Sequence, residues 1–342
     1  MCTPRAKPIL CKEKTKVNRF GTIAVVDMPV GLGGTESTPF DVVGVGVNTV
    51  DLVAVVDDYP APDSKHRVRS YAEFPGGETA TALAACARLG WRTRYVGRFG
   101  RDERGRAARA ALERDGVDLS ACDTAAAPQP VSVIVVDDQG RRTVLWSRES
   151  ALDLATADLA PAVVAAGRVV LVDAQQPAAA VHAARCARDA GIPTVLDIDA
   201  PGPDQDALLA GIDIIITSAA FPEAFTGAAG LGAALSALAS RFKPRLLCAT
   251  LGRQGSLAIV AGEEIQTAGF EVPVVDSTGA GDAFRGGFIA GWLAAGSHPQ
   301  VDSVLTYANA VAALSCGQLG ARSGLPTRDE VARVVSGGRR TV

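Results

Sequence analysis

The chain has 342 residues, 48% of them hydrophobic and 21% charged, and 34 Lys and Arg against 37 Asp and Glu give a net charge of −3. That composition suits a globular protein with one large core or two smaller ones. Near-neutrality argues against a protein that coats nucleic acid, and no apolar run reaches the roughly 18 residues of a membrane span.

Seven widely spaced cysteines without a Cys-x-x-Cys indicate a reduced, cytoplasmic compartment. His66, His182 and His298 lie far apart and offer no zinc-ligand pattern. Residues 1–40 stand apart, with four of the six lysines in the first sixteen positions and a Gly- and Pro-bearing stretch after them. They are expected to be a poorly ordered extension ahead of a domain over 41–335, with 336–342 as a tail. The fold begins at Asp41, where DVVGVGV reads as a buried strand. Residues 80–89 form an apolar helix, TRYVG a strand, and DERGRAARAALERDG a helix stopped at Gly116. VSVIVVDD and RRTVLWS are extended runs on either side of Gln139-Gly140, a hairpin. RVVLVDA, TVLDID, DIIIT and RLLCATL then alternate with Ala-rich helical segments, which predicts a parallel sheet covered on both faces. Segments 66–74 and 131–146 alternate polar and apolar residues and fall outside this pattern. They are expected to form a small β-sheet lid projecting from the α/β body.

Four segments carry candidate chemistry. In VVDSTGAGDAFRGGF a strand end turns at Thr278-Gly279-Ala280-Gly281-Asp282 into a helix. Two glycines let successive N–H groups face outward at the helix N-terminus, an anion cradle reinforced by the helix dipole. A carboxylate there, Asp282, can take a proton from an attacking hydroxyl while the cradle neutralises a transferring phosphoryl group; its bland role is a helix cap. Phe74-Pro-Gly76-Gly77-Glu78 opens a second helix, where paired glycines allow close approach of a ligand or simply make a turn. Asp51, read as lying after the first strand, can bind vicinal sugar hydroxyls at the carboxyl edge of the sheet, or cap a loop. Thr250-Leu-Gly252-Arg-Gln-Gly255 follows another strand and suits a nucleotide phosphate or ribose, or a plain turn. A dinucleotide fingerprint fails on spacing, and no Gly-Lys pair exists for a Walker A loop.

In this order and at these separations the segments resemble the ribokinase-like (PfkB) family of carbohydrate kinases, from about residue 41 to 335. GGETATALAACARLGWRTRYVGRFGRDERG resembles its first signature and DSTGAGDAFRGGF its second. The resemblance implies a three-layer α/β/α sandwich with a mainly parallel sheet and a β-sheet lid, and ATP-dependent phosphorylation of a small sugar. It places Asp282 as the catalytic base, and Gly279, Ala280 and Gly281 as the anion hole. Thr250, Gly252, Gly255 and Asn309 fall in the ATP site, and Asp51, Gly76 and Gly77 in the sugar site. Many members hold a monovalent cation such as K+, and Asp276, Thr278, Ser315, Gly320 and Gly324 stand at the corresponding positions. Magnesium would accompany ATP, and the lid often pairs two subunits, implying a homodimer.

Departures are as informative. The family's Asn-x-x-Glu, which orders water around magnesium, is Ser218 and Phe221 here. Glu78 stands where sugar-binding members commonly have Asn or Lys, and Thr81 where ketohexokinase has a later Asn; Glu78 disfavours a phosphorylated sugar by like-charge repulsion, or pairs with Arg148 or with a cationic or hydroxyl-rich substrate. DLVAVVDDYPAPDS and TVLWSRESALD resemble ketohexokinase, which brings Asp63 toward the sugar site and favours a ketose. GARSGLP resembles the ending of sulfofructose kinase. A nucleoside kinase on the same fold would share the ATP residues, and a catalytically silent sugar-binding protein would bind without turnover.

Overall fold

A computed structural model describes residues 26–35, 37–138, 141–296 and 299–341. In chain order its strands are β1 (Val42–Val45), β2 (Thr49–Val55), β3 (Ser70–Gly76), β4 (Thr93–Val96), β5 (Arg98–Gly100), β6 (Asp123–Ala125), β7 (Val131–Val136), β8 (Arg142–Ser147), β9 (Val169–Asp173), β10 (Thr194–Ile198), β11 (Ile214–Ser218), β12 (Leu246–Thr250), β13 (Ser256–Val260) and β14 (Glu263–Thr267). Eight of them form one sheet in the order β14-β13-β12-β11-β10-β9-β1-β4. It is parallel from β12 to β4, with β13 and β14 antiparallel at one edge.

Side chains alternate across a strand, so a strand buried on both faces must be apolar throughout. Val42, Val169 and Leu171 accordingly enter one core with helices Glu78–Arg88, Ala280–Ala294 and Val301–Ser315. Val43, Val170 and Val172 enter the other, against helices Pro177–Asp189 and Leu231–Phe242. The expected three-layer α/β/α architecture is confirmed. The two cores also explain the alanine-rich helices, whose small side chains let them lie close on the sheet. At Gly286 a Cβ would stand 2.5 Å from the Ala82 carbonyl oxygen. That close approach holds the Ala280–Ala294 helix directly against the Glu78–Arg88 helix.

In this sheet β1 is flanked by β4 on one side and β9 on the other, so the chain reverses its direction of travel between β1 and β9. A crevice opens at the carboxyl ends of strands at such a point. Asp173 closes β9 there: its Oδ2 accepts from Val47 N and Thr79 Oγ1, both at 2.7 Å. It thereby ties the turn after β1 to the Glu78–Arg88 helix.

The lid is a four-stranded sheet, β3-β2-β7-β8. Two expectations change here. The second lid segment forms strands at 131–136 and 142–147, but the first strand runs from Ser70 to Gly76 rather than over 66–74. β2 is a further lid strand, so Asp51 lies within the lid and not on a loop at the sheet's edge. The apolar run from Val50 to Val56 is long enough for a strand of its own once the chain turns at 46–48.

The extension also differs, because from Val26 onward its backbone is bonded to the body. Met28 N donates to Pro299 O at 2.8 Å, Gly33 N to Arg168 O at 3.0 Å and Phe40 N to Ala166 O at 3.0 Å. Residues 1–25 lie outside the described residues. Among the described residues no helix is long and apolar enough to cross a membrane.

Asp102 links body and lid root. Its Oδ1 caps the helix Glu103–Arg114 by accepting from Gly105 N at 2.9 Å, and its Oδ2 accepts from Gln129 N just before β7. Asp102→Ala is expected to lower stability by about 1–2 kcal/mol in urea unfolding; an unchanged midpoint would show that the cap is idle.

Candidate active site

The Ala280–Ala294 helix begins at Gly279, whose φ of 75° is left-handed and whose Cβ, if present, would stand 2.8 Å from the Ala321 Cα. No side chain caps this end. The first turn of a helix has N–H groups with no intrahelical acceptor, so the Gly279–Gly281 loop can act as a cradle, although Ala280 N already makes a long bond to Ser277 O at 3.3 Å. Asp282 sits in the same turn.

Two cavities meet at this loop. The first, about 440 Å³, lies under the lid and is lined by Asp51, Glu78, Arg148, Asp199, Gly279 and Asp282, with Val144 and Trp146 of β8 above. Its volume falls in the range of small-molecule sites. The second, about 810 Å³, is lined by Gly255, Phe270, Phe284, Asn309 and Ala313. Thr250, Gly252, Ser277, Ala280 and Gly281 line both. Asp282 faces only the first.

Burial pushes the Asp282 carboxyl up to about 7; Arg285 pulls it down, while Asp199, Asp51 and Asp173 add to the rise. Glu78 is also held well above the usual carboxylate range, by burial and by Asp173, Asp282 and Asp199. Four acids crowd this pocket, and the repulsion among them favours protonated forms. Asp51 is buried on β2, its Oδ1 accepting from Thr49 Oγ1 at 2.9 Å. Burial raises its pKa as well, against Thr49, Ser132 and Arg322.

The predicted residues do not all converge. Gly76 lies beneath Asp51, where a Cβ would overlap the carboxylate, and Gly77 starts the Glu78–Arg88 helix with φ 95°. Arg148 lines the cavity but does not pair with Glu78. It is held by Asp153 at 2.7 Å and donates to Gln175 O, while Glu78 Oε1 accepts from Gln175 Nε2 at 2.9 Å. Thr81 is fully buried and accepts from Arg322 Nε, away from the cavity lining. Asp63 occupies an exposed turn with φ 57°, also outside the lining. On the other side, Asn309 Nδ2 donates to Ser256 Oγ and Thr267 O, so its amide nitrogen is already engaged. Asp276 Oδ1 accepts from Thr278 N and Oγ1, and Oδ2 from Gly320 N at 2.8 Å. Gly324 lies against the Ser315 carbonyl. These five candidates therefore form one loop cluster behind the cradle.

Sequence reasoning passed over Arg285, Asp197 and Asp199. Arg285 is fully buried, and its Nη2 meets Asp197 Oδ1 and Asp199 Oδ1, each at 2.7 Å. A signal was available: an arginine inside the apolar helix run DAFRGGF, where every neighbouring position is buried, needs a counter-charge.

Residues 40–328 match the model of the pfkB family carbohydrate kinase. The chain is 34% identical to an ATP-dependent ribose-1-phosphate kinase of Halopiger xanaduensis, over 84% of this chain and 95% of that protein. It is 32% identical to a fructokinase of Klebsiella pneumoniae, over 82% and 96%. The structure of an Arabidopsis thaliana ribokinase with ribose and ATP superposes with a TM-score of 0.73 at 24% identity, covering 86% of this chain and 98% of that one.

Proposed function

The chain belongs to the pfkB family of carbohydrate kinases, and on that premise we propose that it transfers the γ-phosphoryl group of ATP to a hydroxyl of a small sugar. One observation carries the reading. Asp282 faces the cavity that holds Asp51 and Glu78, while the glycine loop beside it is the wall shared with the second cavity. An acceptor in the first chamber and a nucleotide in the second would meet only at this wall.

The chemistry follows from the residues. The Asp282 carboxylate accepts the hydroxyl proton as the sugar oxygen bonds to phosphorus and the bond to the ADP oxygen breaks. The N–H groups of the Gly279–Gly281 loop take up charge on the transferring group without reorganising. Asp51 orients sugar hydroxyls, and Val144 and Trp146 shield the acceptor from water. Asp199, which lines the cavity with the loop, would help hold magnesium, which would supply charge neutralisation for the ATP phosphates. Asp276, Thr278, Ser315, Gly320 and Gly324 would hold a potassium ion, which would supply positive charge behind the cradle. Tyr71 and Leu145, both more than half exposed, lie on the outer face of the lid and favour pairing of two lids.

Asp51, Glu78, Asp199 and Asp282 line the acceptor cavity together with Arg142, Arg148 and Arg285, so its net charge does not choose between a free and a phosphorylated sugar, and a substrate panel must. The test is ADP release with magnesium and potassium across ketoses, aldoses, nucleosides and ribose 1-phosphate, the last because of the Halopiger xanaduensis relative. Turnover with a free pentose or ketose is expected. Asp51→Asn is expected to raise the acceptor KM about tenfold or more, as for hydrogen bonds to a charged group, with the ATP KM unchanged. Turnover restricted to nucleosides or to ribose 1-phosphate would sink the free-sugar reading.

A further inference from the structure

We propose that Arg285 is a catalytic residue that donates a hydrogen bond through Nη1 to the transferring γ-phosphoryl group. This rests on the kinase chemistry above but on separate observations. Arg285 follows Asp282 by one helical turn, so the two share a face, and helical side chains lean back toward the N-terminus. Its guanidinium therefore returns to the cradle: a Cβ at Gly281 would collide with Nη1, and Arg285 lines the acceptor cavity with the loop.

The acceptors around it are unevenly used. Nη2 donates to Asp199 Oδ1 at 2.7 Å and to Ile216 O at 3.3 Å, and stands 2.7 Å from Asp197 Oδ1 as an ion pair without an aligned hydrogen bond. Nη1 and Nε have no hydrogen-bond partner among the described residues. A fully buried cationic donor left unsatisfied is costly, and of the two Nη1 lies against Gly281, where an anion is due to arrive. Asp197 and Asp199 hold the guanidinium by one nitrogen and so aim another at the loop. Phe221, standing where the family's Glu would be, is fully buried in the opposite core and cannot reach the site. Arg285 brings a fixed positive charge to the phosphates in a chain that lacks that motif.

Arg285→Lys tests this, because one ammonium can keep Asp197 and Asp199 company but offers no second nitrogen to the loop. Calorimetric titration with the magnesium complexes of β,γ-imido-ATP and ADP needs no acceptor, so it stands apart from the choice of sugar. The imido-ATP affinity is expected to fall about tenfold or more, with ADP affinity nearly unchanged. kcat is expected to fall about 10²-fold, as for loss of one oxyanion donor. A variant in which both nucleotides weaken alike, or neither does, would overturn the proposal and leave Arg285 a structural residue. The double variant Arg285→Met with Asp197→Asn removes the buried charge with one counter-charge and gives the same reading if the lysine variant does not fold. A wild-type chain that binds neither nucleotide would fail at the ATP site itself, which the titration distinguishes.

Discussion

Asp282→Asn is expected to leave fold and nucleotide binding intact and to lower kcat by about 10²–10⁴-fold, the range for loss of a positioned general base. In the wild type the acid limb of kcat/KM should lie near pH 7, because the base works as carboxylate and burial lifts its pKa to about 7. Activity should fall about tenfold per pH unit below that point. The stability consequence has a definite sign. A carboxyl whose folded pKa lies above its unfolded value binds its proton more tightly when folded. Its ionisation therefore costs stability as pH rises from about 4 to about 7, and the cost is complete above. The Asn variant should then melt higher than wild type at pH 8 and lose that advantage toward pH 4. Wild-type-like turnover in the variant would remove Asp282 from the mechanism. A melting temperature that falls at pH 8 would contradict the electrostatic account.

The second large effect is expected at Gly279. Its left-handed backbone costs any residue with a Cβ roughly 1–2 kcal/mol, and here the Cβ would also press on Ala321, at 2.6 Å from its Cβ and 2.9 Å from its carbonyl oxygen. Gly279→Ala must therefore shift the loop. kcat is expected to fall about 10²-fold or more, since the cradle N–H groups lose their aim. Gly262 is the matched control, with φ 87° in the turn between β13 and β14 and nothing within 4 Å of its notional Cβ. Gly262→Ala should show the backbone cost alone in urea unfolding, with turnover unchanged. Equal losses in the two variants would mean that the contact with Ala321 contributes nothing.

The cradle, the Glu78 turn and the Thr250 loop were legible in the amino-acid sequence because each is local. A few consecutive residues set a helix N-terminus or a turn, and Gly279, Gly77 and Gly255 all take up the positive φ that only glycine adopts without strain. The same holds for the layered body, since uninterrupted apolar strands alternating with helices bury only as a covered parallel sheet.

Other features depend on residues that meet only after the strands are ordered. Asp51 sits in an apolar run whose composition suits either sheet, and only pairing with β3 and β7 assigns it to the lid. In the segment before Asp41, Val26, Met28, Val30 and Leu32 alternate and pack on the first core, but the run is short and interrupted by Pro29 and Gly31, and bonds of its backbone to Arg168 and Pro299, far along the chain, fix it to the body. Arg285 reaches Asp199 across 86 residues, and Arg322 donates to the Gly76 carbonyl across 246. Whether a buried arginine finds its carboxylates is decided by strand order and register, through contacts whose partners no local pattern names. Residue identity sufficed to pick out the glycine turn and the acid in its helix; the charge set beside them required the tertiary structure.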